Sequence, residues 1–162
     1  MAHTNPERGD DVPAQYQIAL SNQQSHHAVD EPRLIQAAEA ILHDSPYFSA
    51  SISLAVVDDA TIHELNRRHL DHDWPTDVLS FMLEDDDTHL EGEVILSADT
   101  AAAAAEELGI TPGQEQLLYV IHGMLHLIGY DDKSADKQRE MRAAEARYLQ
   151  QFGFEASGRT AP

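Results

Sequence analysis

The stretch from Thr111 to Gly129 constrains the fold of this chain more than any other. Thr111-Pro-Gly-Gln-Glu reads as a helix start, with Pro112 in the first turn, where its missing N–H leaves no bond unmade. Leu117, Leu118, Val120, Ile121, Leu125 and Ile128 then fall on nearly every side of the helix before Gly129 stops it. A helix that is apolar all round needs partners on several sides, so it is expected at the centre of the domain. Into this helix the sequence puts two histidines, His122 and His126, four residues apart.

The rest of the chain supplies the partners. Tyr16 to Leu20 alternates polar and apolar residues, as a strand does. Asp30-Glu-Pro-Arg opens a helix carrying Leu34, Ile35, Ala38, Ile41 and Leu42, which Ser45-Pro46 ends. Ser51 to Val57 is a β-branched, alternating strand. Asp58 or Asp59 caps a helix through Ile62, Leu65 and Asn66 to about His69, and a loop follows from Leu70 to Pro75. Two more strands are expected at Asp77–Leu83 and Glu93–Leu96, with the acidic run Glu84-Asp-Asp-Asp87 read as a solvated loop between them. Ser97 or Asp99 caps an alanine-rich helix that Gly109 stops, and a last amphipathic helix runs from about Ser134 to Phe152. Strands and helices mix without strict alternation. The expectation is an α+β (mixed α/β) fold, a small mixed sheet of about four strands covered by about five helices. Its 162 residues suit one domain, placed at 15–154, with a disordered lead-in at 1–14 and a loose tail at 155–162.

Residues i and i+4 share a helix face, so the His122 and His126 imidazoles can converge on one ion. Gly129 allows a left-handed turn through Tyr130 and Asp131 that can bring Asp132 back to the same ion as a third ligand. Two imidazoles, one carboxylate and an open position form the pattern of a catalytic zinc site. Ten histidines in the chain make a chance pair conceivable, but both of these lie in the most apolar helix, where an unpartnered imidazole is costly. Zinc peptidases place a glutamate after the first histidine as general base; here that position is Gly123, which argues against a peptidase.

Composition narrows the rest. The absence of cysteine excludes disulfides and thiolate ligands. No apolar run approaches the ~20 residues of a membrane span, and the N-terminus lacks a basic-then-apolar leader, so a cytoplasmic location is the default. A net charge of −19 disfavours indiscriminate binding to nucleic acid; an RNA substrate would need a local basic patch or a metal.

The run His122-Gly-Met-Leu-His126-Leu-Ile-Gly-Tyr-Asp resembles the signature of the YbeY family of bacterial endoribonucleases and rRNA maturation factors. Leu65-Asn66 followed by Asp73-Trp-Pro-Thr-Asp77-Val-Leu-Ser-Phe81 is similar to the family's other block, and Gly92-Glu-Val-Ile-Leu-Ser97 to the strand after it. The resemblance implies one zinc ion per chain and cleavage of single-stranded RNA. It also implies a role in 16S rRNA 3′-end maturation and ribosome quality control, with RNA and the ribosome as partners. Two positions depart from the family. Its third ligand is usually histidine, where this chain has Asp132; Asp131 matches the family's aspartate before it. An anionic ligand would leave the zinc a weaker electrophile. A functionally important arginine of the family falls, by spacing, at Leu70, with Arg67 and Arg68 nearby. Phosphoryl transfer gains from a cation on the developing charge, so catalytic strength is the property this departure touches. Asp77 and Ser80 are candidates to line the cleft or to support the ligands, or else to cap a turn and sit within a strand. The alternatives to a nuclease are a ribosome-assembly factor with a structural or weakly catalytic metal and, less favoured, a zinc peptidase.

Overall fold

The computed structural model describes residues 14–70 and 77–154. The lead-in up to Pro13, the tail from Glu155 and the segment 71–76, which holds all of the expected loop after Leu70, lie outside them.

Among the described residues five helices and four strands follow one another as β1 (Gln15–Asn22), α1 (Glu31–His43), β2 (Ser49–Val57), α2 (Asp59–Leu70), β3 (Val78–Asp85), β4 (His89–Ser97), α3 (Ala98–Leu108), α4 (Pro112–Leu127) and α5 (Ala135–Gln151). Side-chain caps set the helix starts as the sequence suggests. Asp30 accepts from Arg33 N, Asp58 from Thr61 N, Ser97 from Thr100 N, Thr111 from Gln114 N and Ser134 from Lys137 N. The sheet order is β1-β2-β4-β3, with β1, β2 and β4 parallel and β3 antiparallel to β4. The sheet is therefore mixed, as expected.

Several strands run longer than the sequence suggests, β3 and β4 among them. β4 begins at His89 rather than Glu93, because its first residues pair with β2, Ser49 opposite His89 and Ala50 opposite Leu90. The acidic run is only partly loop. Glu84 and Asp85 pair with Glu91 and Leu90 across a β-bulge after Met82, and they extend β3 to the hairpin turn. Turn composition pointed to a loop, but the ladder made by a longer β4 decides the boundary.

Helix α4 is the centre. Leu117, Leu118, Tyr119, Val120, Ile121, Met124, Leu125 and Leu127 are all buried, and the helix packs on α1, α3, α5, β3 and β4. Two glycines let it lie close on the sheet. A Cβ on Gly123 would stand 2.6 Å from Val94 Cγ1, and one on Gly92 2.8 Å from Leu127 Cδ1. Among the described residues no helix is long and apolar enough to cross a membrane.

Candidate metal centre

The ligand geometry starts from α4. His122 and His126 stand one turn apart on the edge of that helix, half-buried, with ring centroids 4.6 Å apart and planes at 76°. Their Nε2 atoms are 3.1 Å from each other. Two Zn–N bonds of ~2.0–2.1 Å at a tetrahedral angle would hold two nitrogens ~3.3 Å apart, so the spacing suits one shared ion. Gly129, at φ 112°, reverses the chain beyond the helix; its N–H donates to His126 O at 3.2 Å, and Tyr130 N–H to Leu125 O at 2.9 Å. The turn carries Asp132 back, so that ligand atoms of His122, His126 and Asp132 all lie within 4.8 Å of one another. Asp131 is otherwise engaged: its Oδ1 accepts from Lys133 N at 3.0 Å.

One residue at this centre is absent from the sequence reading. Glu145, on α5, puts Oε2 2.7 Å from His122 Nδ1, and Arg142 donates to its other oxygen at 3.3 Å. Glu145 is only 4% exposed. A buried carboxylate on Nδ1 holds the ring proton there and turns the Nε2 lone pair outward, the arrangement that supports metal-ligating histidines. The sequence did carry a signal. Glu145 sits in the buried stripe Met141, Ala144, Tyr148, Leu149, where an acid without a partner would be costly.

The His126 imidazole is pushed below its ordinary pKa, first by burial and then by the neighbouring His122, while Asp132, the Tyr130 backbone and Glu145 oppose the shift. It is therefore neutral near pH 7, the form that binds metal. Two nitrogens and one carboxylate oxygen, without sulfur, fit zinc and other first-row divalent ions that accept mixed N/O ligands.

The other expected residues fall outside this ligand group. Ser80, within β3, donates its hydroxyl to Gly123 O at 3.0 Å and so ties the sheet to the helical turn bearing His122. Asp77 precedes β3, and its carbonyl accepts from Ser97 N at 3.0 Å. Arg67 is paired with Glu64 at 2.6 Å on the exposed side of α2. The side chain of Leu70 and the segment Asp73–Thr76 lie outside the described residues. Gly123 faces Val94 and Ser80, away from the imidazoles, so the position of the peptidase glutamate points into the sheet. A second group, Glu84, His89 and Glu91, gathers on the β3–β4 hairpin, where the Ser49 hydroxyl already bonds His89 Nδ1 at 2.6 Å.

The family model described as endoribonuclease YbeY matches residues 19–153. A relative of that name from Rhodopirellula baltica is 42% identical over 124 residues, which span 75% of this chain and 64% of the relative. The Syntrophotalea carbinolica endoribonuclease YbeY is 40% identical over 136 residues, 80% of this chain and 91% of the relative. The one from Geobacter sulfurreducens is 35% identical over 146 residues, 87% and 97%. The solution structure of TM1509 from Thermotoga maritima, 27% identical, superposes with a TM-score of 0.56 over 84% of this chain and 87% of that one. Helices α4 and α5 and the turn between them, which carry His122, His126 and Asp132, fall inside the family match, and the chain belongs to the endoribonuclease YbeY family.

Proposed function

We propose that this chain is a zinc-dependent endoribonuclease that cuts single-stranded RNA, with His122, His126 and Asp132 holding the ion. On this reading it acts on the ribosome in the cytoplasm, in 16S rRNA 3′-end maturation and ribosome quality control. Family membership supports the reaction class. The observation that carries the site is the 3.1 Å approach of two imidazole nitrogens beside a carboxylate, with Glu145 behind one of them.

When bound, the ion would polarise a phosphoryl oxygen as a Lewis acid. The protein's part is to fix the donors. Glu145 and Arg142 hold the His122 ring in one tautomer and orientation, Gly129 delivers Asp132, and Ser80 keeps the helix seated. Asp132 adds negative charge where relatives usually offer a neutral imidazole, which tempers the ion's pull on substrate electrons.

The test is cleavage of a labelled single-stranded RNA with added zinc by the native chain and by His126→Ala. Loss of cleavage in the variant is the expected result; equal cleavage by both would sink the nuclease reading. A second reading, an assembly factor whose metal is structural or weakly catalytic, is favoured by Leu70 at the place of the family's arginine and by the charge of −19. It would be marked by full zinc uptake with no cleavage.

A further inference from the structure

A chain of net charge −19 must still attract a polyanion, and its few cations are unevenly spread. Of its ten lysines and arginines, five (Lys133, Lys137, Arg139, Arg142 and Arg147) fall on the turn after Asp132 and on α5. Arg139 is paired with Asp136 and Arg142 with Glu145. Among the described residues Lys137 and Arg147 have no such acidic partner. Both line clefts that meet at Tyr130, two residues before Asp132. One cleft, of about 980 Å³, has Arg147, Tyr130, Tyr148 and His43 in its walls. The other, of about 280 Å³, has Lys137, Tyr130 and Gly129.

Arg147 is held ready in the larger cleft. Its guanidinium lies 5.5 Å from the centre of the Tyr148 ring, in the same wall as Tyr130. That wall also holds one acid, Asp44, whose Oδ2 accepts from the Tyr148 hydroxyl at 2.6 Å. In the smaller cleft Asp131 accepts from Lys133 N, while Glu140 on the rim opposes Lys137. Arg147 therefore carries the larger share of the attraction.

We infer that the two clefts flanking Tyr130 form a binding site for the backbone of single-stranded RNA, with Arg147 and Lys137 on phosphates and the half-buried Tyr130 ring open to a base. The inference rests on the endoribonuclease reading and extends it away from the metal. A cation beside an aromatic ring is the recurring means of holding a single strand without reading its sequence. The position fits as well, since a strand lying across Tyr130 passes beside the turn that delivers Asp132.

The test is fluorescence anisotropy of a 5′-labelled uridine decamer in chelator, with salt varied. It compares the native chain with Lys137→Ala, Arg147→Ala, the double variant and Arg33→Ala on α1. All three sites are at least partly exposed, so the variants are expected to fold. Each phosphate contact on a single strand contributes ~0.7 to the slope of log affinity against log salt, so the double variant should lose ~1.4 from that slope and bind more weakly at every salt concentration. Arg33→Ala should keep the native slope. An unchanged double variant would overturn the inference, and so would an equal loss in Arg33→Ala, since net charge alone would then govern binding. If the native chain cleaves RNA with zinc while the double variant binds unchanged, the site falls and the nuclease reading stands. If the native chain neither binds nor cleaves, the nuclease reading falls and takes the site with it.

Discussion

Replacing Gly123 with alanine tests how tightly the metal-bearing helix is pressed on the sheet. The new methyl would stand 2.6 Å from Val94 Cγ1 and 3.0 Å from Ser80 Oγ. Carbon atoms rest at ~3.5–4.0 Å, so helix and sheet must part by about 1 Å. Overpacking of this kind costs about 1–3 kcal/mol, against a gain of about 0.8–1 kcal/mol from replacing glycine with alanine inside a helix. A net loss of up to about 2 kcal/mol remains. At ~2–4 °C per kcal/mol for a chain of this size, Tm should fall by up to roughly 8 °C. Gly113→Ala is the control, because a Cβ there meets nothing within 4 Å, and it should leave Tm unchanged or slightly raised. Thermal unfolding followed by circular dichroism in chelator reads both. If Gly123→Ala proves as stable as Gly113→Ala, the close seating of α4 is wrong. So is the reason given for the missing peptidase glutamate.

Other perturbations reach the centre by different routes. Glu145→Ala should weaken zinc binding about 10–100-fold in a chelator competition, with Glu145→Gln intermediate because an amide oxygen can still accept from His122 Nδ1; native-like affinity in both would deny Glu145 its supporting role. In the metal-free chain His126 titrates below its ordinary 6.5, so between those two pH values the unfolded chain binds more protons than the folded one. Stability should therefore fall as pH drops from about 6.5, and Tm against pH in chelator should lose that slope in His126→Ala. The Tyr47 and Tyr148 phenols are driven well above the usual range, first by burial and then by hydrogen bonds to Asp85 and Asp44. They stay protonated in the folded chain while the unfolded chain ionises near pH 10, so stability is lost as pH rises above ~10. An absorbance titration near 295 nm should show the Tyr47 and Tyr148 phenols ionising only with alkaline unfolding.

Local rules reached most of this molecule because most of its signals are local. The caps Asp30, Ser97, Thr111 and Ser134, and the stop at Gly109, act within a few residues of themselves, and the helices start and end there. The His122–His126 pair followed from helical periodicity, and the return of Asp132 from Gly129. What escaped depends on distant partners. The polar start of β4 is a strand only because β2 runs beside it. Glu145 lies 23 residues from the histidine it holds, on a helix rich in charged residues whose buried stripe alone sets it apart. Ser80 likewise turned to α4, a contact that no pattern within β3 signals.

The most direct measurement is a crystal structure of the zinc-loaded chain. The expected result is one ion ~2.0–2.1 Å from Nε2 of both His122 and His126 and ~2.0–2.2 Å from an Asp132 carboxylate oxygen, with Glu145 still on His122 Nδ1. An ion bound through Asp131, an ion seated only among Glu84, His89 and Glu91, or no zinc in the crystal would contradict it.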